Sequence, residues 1–188
     1  DQAREENTKK RALIEFRRAW CLLNLGQTER ATQTLVNLLS QPEILATQSK
    51  DGKSVDPTFV QDVSGDLARF LARGEISKND LDLLKRLSPS PSRKANLHTL
   101  ASEADRLGKK QESLNVWSAY IDEKDVSGDE KIEVQARVTQ IYYDLNKNQL
   151  AAAAFDKTMD FWRKNGCQNE ELCQELKSRL KRLVTAWN

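Results

Sequence analysis

The chain has 188 residues, of which 38% are hydrophobic and 31% charged, and its 30 basic and 28 acidic side chains leave a net charge of only +2. This composition is typical of a folded protein, and the near balance of charge argues against the broad basic surface that non-specific nucleic-acid binding needs. Glycine and proline number only seven and four, and good helix formers dominate, so we expect an all-α protein. No apolar run approaches the ~20 residues of a membrane span, so we expect no direct membrane insertion.

A leucine followed by a polar, helix-breaking turn recurs along the chain, as Leu25-Gly26, Leu107-Gly108 and Leu145-Asn146. The residues around each turn follow one pattern. A small residue stands seven positions before the Gly or Asn, another stands five positions after it, and a large apolar residue stands nine positions after it. These three sets are Ala19, Ala101 and Thr139, then Ala31, Ser113 and Ala151, then Leu35, Trp117 and Phe155. The pattern predicts repeated helical hairpins.

The first hairpin is predicted over residues 11–41, where Pro42 discourages continuation of its second helix. The mostly polar stretch Thr47–Ser54, with Asp51-Gly52 as a turn signal, predicts an inserted loop. A second hairpin is predicted over 57–88, with Asp56 as N-cap before Pro57.

In that second hairpin Ser77 and Asp80 have the spacing of a capping box. The third hairpin is predicted over 93–125, with its first helix beginning at about Arg93, and the fourth over 128–165. Ser127 with Glu130 predicts the start of the fourth hairpin, and Asn165-Gly166 its end. A last helix over 169–187 has one apolar stripe, formed by Leu172, Leu176, Leu180, Leu183, Val184 and Trp187.

On these residues the chain resembles the tetratricopeptide repeat (TPR) family. The resemblance covers roughly Arg11–Ser40, Arg93–Lys124 and Glu130–Lys164, with Thr58–Ser88 as a degenerate copy. It implies a right-handed α-solenoid of about four hairpins plus a C-terminal helix, in a single domain over residues 1–188. The turns are unevenly spaced, so a related but irregular helical solenoid is the alternative.

The resemblance also implies a concave groove, lined by the first helix of each hairpin and open to a peptide or protein. The partner-binding residues that it implies are Leu13, Phe16, Trp20, Leu23, Asn24, His98, Ser102, Asp105, Arg106, Gln140, Tyr143 and Asp144. Some family members clamp a terminal carboxylate there with basic and Asn side chains. Phe16 and Trp20 depart from that pattern, which argues against this class of ligand.

The apolar face of the first hairpin has two interpretations. Phe16 and Trp20 either anchor a partner, as aromatic side chains commonly do, or pack against a preceding helix. That helix would be residues 1–10 or a repeat outside this chain. Trp117 stands at the spacing of a core residue, and Trp162 lies on an apolar stripe like Trp187, so these three are predicted to pack.

The residues give little support to catalysis or to metal binding. His98 is the one histidine, and neither a GxGxxG nor a GxxxxGK[ST] sequence occurs. The paired carboxylates Asp129-Glu130 and Glu170-Glu171 fall in predicted first helical turns, where their charge interacts favourably with the helix dipole. Glu5-Glu6 is a third pair of adjacent carboxylates. We therefore expect no enzyme activity, no cofactor and no metal.

The three cysteines have no metal-ligand pattern, since Cys21 is remote from Cys167 and Cys173. The close pair, Cys167 and Cys173, forms either a disulfide across a helix–helix turn or two free thiols, depending on the compartment.

These features predict a non-catalytic scaffold or adaptor that binds a peptide or protein, without nucleic acid, in a larger assembly. Further repeats of the same chain are another kind of partner. The chain begins at Asp1 without an initiating Met, so we expect it to be a piece of a longer protein; the alternative is the regulatory helical domain of an enzyme. The segment Phe16-Arg17-Arg18-Ala19-Trp20-Cys21-Leu22-Leu23 is similar to repeat proteins of bacterial cell envelopes, including those linked to gliding motility. That similarity favours the periplasm or cell envelope over the cytoplasm.

Overall fold

The computed structural model describes residues 10–48 and 54–186, and every regular element within these ranges is a helix. The predicted fold class, an all-α chain of TPR-like hairpins with a C-terminal helix, is confirmed. The chain divides into two compact units, Asp1–Val116 and Trp117–Asn188. The predicted turn at Asp51-Gly52, the pair Glu5-Glu6 and Trp187 lie outside the described residues.

The first unit contains three hairpins and one short helix. The helices are α1 (Arg11–Asn24), α2 (Thr28–Leu39), α3 (Pro42–Leu45), α4 (Pro57–Arg73), α5 (Lys78–Leu87), α6 (Ser90–Arg106) and α7 (Lys110–Ile121), the last of which ends in the second unit. A single 3₁₀ turn, Ala46–Gln48, follows α3. The second unit contains α8 (Gly128–Asp144), α9 (Asn148–Asn165) and α10 (Glu170–Ala186).

The structure differs from the prediction at three points. Pro42 begins a short helix instead of only ending one, because proline is compatible with the first turn of a helix. Thr47, predicted to open a loop, accepts a hydrogen bond from the Ala12 backbone N–H at 3.0 Å, so it caps α1. Helix α6 begins at Ser90 rather than Arg93, since Pro91 is likewise tolerated in a first turn.

The same C-terminal motif ends α1, α6 and α8. The backbone N–H of Gln27 donates to the carbonyl of Leu22, and that of Gly26 to Leu23, both at 2.9 Å. Lys109 and Gly108 repeat these bonds at the end of α6, as do Lys147 and Asn146 at the end of α8. This is the Schellman motif, which needs one residue with positive φ; Gly26, Gly108 and Asn146 supply it with φ of 75°, 79° and 57°. The recurring Leu-Gly and Leu-Asn dipeptides therefore end the first helix of each of these hairpins, as predicted.

The small residues around these turns are fully buried. Exposure is 0% for all of them, namely Ala19, Ala31, Ala101, Ser113, Thr139 and Ala151. In the third hairpin the close approach of the helices is direct, since the Ser113 hydroxyl donates to the Ala101 carbonyl at 2.9 Å. Leu35 and Trp117, which follow the turns at the predicted distance, are also 0% exposed.

The second hairpin is closed differently. Gly74 has φ −87° and ψ −175°, which is extended and not left-handed. The Lys109 ammonium, from the turn of the third hairpin, donates instead to the carbonyls of Ala72 and Gly74 at the end of α4. The Glu112 carboxylate accepts from the Ile76 backbone N–H at 3.3 Å. The degenerate hairpin thus takes its C-terminal cap from its neighbour.

The predicted N-terminal caps are confirmed. Asp56 accepts from the Thr58 backbone N–H at 2.9 Å, and both capping boxes form, Ser77 with Asp80 and Ser127 with Glu130. Glu130 also accepts from the buried Tyr120 hydroxyl at 3.1 Å. Burial first, and then the Glu130 carboxylate, raise the pKa of Tyr120.

Helix α10 packs on the hairpin of α8 and α9. Its Leu176, Leu180 and Leu183 form a buried cluster with Ile132 and Ala136 of α8. Partly buried side chains surround this cluster, namely Tyr143, Phe155, Met159, Phe161, Trp162 and Leu172. The helix therefore covers an apolar face of the α8–α9 hairpin.

The loop before α10 is held at several points. The Asp129 carboxylate accepts from the backbone N–H groups of Gln168 and Asn169 at 2.9–3.2 Å. A disulfide joins Cys167 and Cys173, whose Cα atoms are 5.9 Å apart. Gly128, at the start of α8, has no room for a side chain, because a Cβ there would lie 2.8 Å from the Asn165 Cβ.

Arginine at Ala151 is expected to lower the free energy of unfolding by a few kcal/mol, because it would overpack the α8–α9 contact and bury a charge. Ala153→Arg is the matched control, since Ala153 is exposed on the same helix; its effect should stay within about 0.5 kcal/mol. Urea unfolding of both variants measures the difference. Equal effects would contradict the assignment of Ala151 to the helix contact.

Thiol counting under non-reducing denaturation tests the disulfide. Protein from its native compartment should show one free thiol, that of the exposed Cys21. Cys167→Ser should lower stability by about 2 kcal/mol, since it releases a short covalent loop, while Cys21→Ser should change little. Three free thiols in the native protein would exclude the bond there.

Candidate functional site

The first helices of the three hairpins in the first unit lie side by side. Helix α1 contacts α4 through aromatic pairs, Phe16 with Phe59 and Trp20 with Phe70, at centroid distances of 5.7 and 5.0 Å. Helix α4 packs in turn along α6. This is the surface on which the TPR resemblance implies a groove.

A cleft of about 550 Å³ opens on this surface. Its lining comes from α1, α4 and α6, and consists of Phe16, Gln61, Asp62, Gly65, Asp66, Arg69, Pro91, Ser92, Ala95, Asn96 and Thr99. We call it the α4 cleft, because α4 contributes most of its polar side chains. A volume of this size is typical of ligand sites in proteins.

Asp66 lines the α4 cleft and is only 8% exposed. One carboxylate oxygen accepts from the Trp20 indole N–H at 2.8 Å, and the other accepts from the Arg69 guanidinium at 2.6 Å. The carboxylate thus has a neutral donor from α1 and a charged donor from its own helix. Each carboxylate oxygen retains a further acceptor position.

Asn96 is the second buried polar group of the α4 cleft, at 4% exposure. Its amide nitrogen donates to the hydroxyls of Ser64 and Ser88, at 3.0 and 2.8 Å. Ser64 donates onward to the Gln61 carbonyl at 3.0 Å. This chain of donors ties α6 to α4 and fixes the orientation of the amide.

The predicted groove residues of the first hairpin differ in burial and in whether they line the cleft. Leu23 is buried at 7% exposure, so it belongs to the core, and Trp20 is half-buried against α4. Leu13 is half-buried and Asn24 is exposed, and neither lines the α4 cleft. Phe16 is the predicted residue that lines it. Among the described residues, Phe16 and Trp20 contact the first helix of the following hairpin, an arrangement that neither of the two interpretations included.

The predicted residues of α6 lie further along the same helix. His98 and Ser102 are half-buried. Asp105 pairs with Lys110, and Arg106 pairs with Glu103 at 2.6 Å. The hydrogen bond to Glu103 and its charge raise the pKa of Arg106.

In the second unit, the predicted residues of α8 have internal partners. Gln140 donates to Asp144 at 2.7 Å, one turn along the helix. Tyr143 packs against the cluster that α8 forms with α10. The face of α8 that carries Tyr143 is therefore covered by α10.

The sequence reasoning missed the contribution of α4. It named no groove residue in the degenerate hairpin, whereas Gln61, Asp62, Asp66 and Arg69 all line the cleft. One signal was present. Asp66 stands within the apolar series Val63, Leu67 and Phe70, at a helical position where a core residue is expected.

In the part of the chain that the structure describes, no group of three potential ligands is arranged to hold a metal ion. Among the same residues, no helix combines the length and apolar character needed to cross a bilayer.

Trp20→Ala is expected to lower the free energy of unfolding by about 2–4 kcal/mol, because it removes the packing on Phe70 and the donor to the buried Asp66 carboxylate. Trp20→Phe keeps an aromatic ring but loses the N–H donor, so we expect it to lower the free energy of unfolding by about 1–2 kcal/mol. Denaturant unfolding monitored by circular dichroism provides the measurement.

The matched control is Leu25→Ala, since Leu25 is 71% exposed and its truncation should change stability by less than about 0.5 kcal/mol. A Trp20→Ala variant as stable as this control would contradict the packing role.

No protein-family model and no curated protein matches this chain. Among solved structures, it is similar to a single-residue variant of a protein described as a Podosopora anserina kinesin light chain with nearly identical TPR-like repeats. The identity is 16% and the TM-score 0.44, over 95% of this chain and 87% of that one. A second structure described in the same words, without the substitution, is 15% identical with a TM-score of 0.37, over 96% of this chain and 98% of that one. At these values the fold description rests on the contacts given above.

Proposed function

We propose that the chain is a non-catalytic interaction scaffold, and that the α4 cleft receives a segment of a protein partner. The observation that carries the proposal is the cleft itself. Asp66 and Asn96, both more than nine-tenths buried, lie in a cavity of about 550 Å³. Buried polar groups in a cleft of this size, beside an aromatic side chain, are typical of a recognition site.

A peptide suits this cleft better than a nucleic acid does. Asp62 and Asp66 place two carboxylates on the lining, against the single guanidinium of Arg69, so the phosphate backbone of a nucleic acid would be repelled. Phe16 and Ala95 offer apolar surface next to polar groups, which suits a peptide with side chains of both kinds.

The setting of this scaffold is a second part of the proposal. The disulfide between Cys167 and Cys173 supports an oxidising compartment. Together with the resemblance of the first helix to envelope repeat proteins, it favours a larger assembly in a bacterial periplasm or cell envelope over one in the cytoplasm.

Peptides selected from a random displayed library against the full chain test the cleft. Ala95→Trp should fill the α4 cleft from its rim without disturbing the core, because Ala95 is exposed. We expect the selected peptides to lose at least about tenfold in affinity for this variant, equivalent to ~1.4 kcal/mol, as measured by fluorescence anisotropy.

Ala152→Trp is the matched control, because Ala152 is exposed on α9 and is not a lining residue of the cleft. Peptides that bind Ala95→Trp and Ala152→Trp equally well would place the binding surface elsewhere. A library that yields no specific peptide would count against the scaffold proposal as a whole.

A further inference from the structure

The α4 cleft presents an accessible acceptor that the described residues do not use, the amide oxygen of the largely buried Asn96. Both N–H bonds of the Asn96 amide are taken by Ser64 and Ser88. Ser64 must accept from Asn96, because its own proton goes to the Gln61 carbonyl. The amide oxygen of Asn96 therefore faces away from the serines, and no donor among the described residues reaches it.

Gly65 leaves this oxygen uncovered. It stands in the interior of α4, where glycine is less favourable than alanine. A Cβ at Gly65 would meet only the Asn96 Oδ1, at 3.6 Å, which is an ordinary contact. Neither backbone geometry nor crowding requires glycine there, in contrast to Gly128, where a Cβ would lie 2.8 Å from the Asn165 Cβ. What an alanine would change is access to the Asn96 oxygen.

Two carboxylates of the cleft lining, those of Asp62 and Asp66, lie near Gly65 along α4. Asp66 is adjacent in sequence, and its carboxylate has acceptor positions beyond those used by Trp20 and Arg69. Asp62 lies one helical turn before Asp66 and is exposed. With Arg69 as the one cation of the lining, the α4 cleft carries one net negative charge.

We propose that the α4 cleft recognises an arginine side chain in the partner segment, with its guanidinium directed to the Asn96 amide oxygen and the carboxylates of Asp62 and Asp66. This inference rests on the proposed function and names the chemistry of its ligand. A guanidinium has five N–H donors, no acceptor and a permanent charge, which complements a set of acceptors with net negative charge.

Other side chains fit these acceptors less well. A carboxylate would face two carboxylates, and an apolar side chain would leave the Asn96 oxygen without a donor. A lysine offers a compact, strongly hydrated charge, whereas the planar guanidinium can bond several acceptors at once and lie on the Phe16 ring at the rim.

Titration of the full chain with N-acetyl-arginine amide, followed in ¹⁵N–¹H correlation spectra, tests the inference. We expect saturable shifts at the backbone amides of Gly65, Asp66 and Asn96. N-acetyl-citrulline amide has nearly the same shape without the charge, so it should bind about tenfold more weakly or worse. N-acetyl-lysine amide should fall between the two.

The Gly65→Ala substitution is the most specific test of the Asn96 oxygen as a binding group. It should weaken binding of the arginine amide about tenfold, while the melting temperature stays equal or rises, because alanine favours the helix. Gly74→Ala is the matched control, since a Cβ at Gly74 meets only the Leu71 carbonyl at 3.8 Å, outside the cleft. It should leave binding of the arginine amide unchanged.

Equal binding of the arginine and citrulline amides, unaltered binding by Gly65→Ala, or no saturable shift at all would each overturn the arginine inference. The peptide library tests the proposed function independently of the arginine inference. Library peptides that lack arginine and are still blocked by Ala95→Trp would uphold the peptide-binding cleft and refute its specificity for arginine.

Discussion

Close approach of paired helices is the constraint on which the hairpins depend. Two helices can approach closely only where their facing residues are small. Ala101 and Ser113 are such residues, and both are fully buried. Ser113 turns the approach into a hydrogen bond to the Ala101 carbonyl. Because the turns are closed by the same backbone bonds at Gly26, Gly108 and Asn146, the second helix of each of these hairpins starts in the same direction relative to the first.

The α4 cleft lies between first helices that are joined by polar as well as apolar contacts. Trp20 contributes a ring to Phe70 and a donor to Asp66, so one side chain both packs α1 on α4 and holds a carboxylate in place. Asn96 joins α6 to α4 through Ser64 and to the end of α5 through Ser88. The lining of the cleft is pre-organised, because the same bonds that hold the helices together also orient the polar groups that line it.

The sequence predicted what depends on local pattern and missed what depends on neighbouring hairpins. Turn residues, capping boxes and buried small residues are encoded within a few positions, and these predictions hold at Gly108, Ser127 and Ala151. The partner of Trp20 lies 46 residues away, and no pattern in α1 points to Asp66. The sequence pattern therefore does not predict the cleft residues of α4, because departures from the repeat pattern there indicate only a degenerate copy.

The bond from Lys109 to the end of α4 sets the size of the smallest piece that holds an intact cleft. The lining of the cleft ends at Thr99, so a fragment stopping shortly after that residue would contain every residue that lines the cleft. Such a fragment would leave the carbonyls of Ala72 and Gly74 without the ammonium that closes them, at the end of the very helix that carries Asp66. A fragment that keeps this cleft intact must therefore extend into the third hairpin as far as Lys109. Division of the chain into single hairpins would separate the cleft residues of α4 from the side chain that closes the end of their helix.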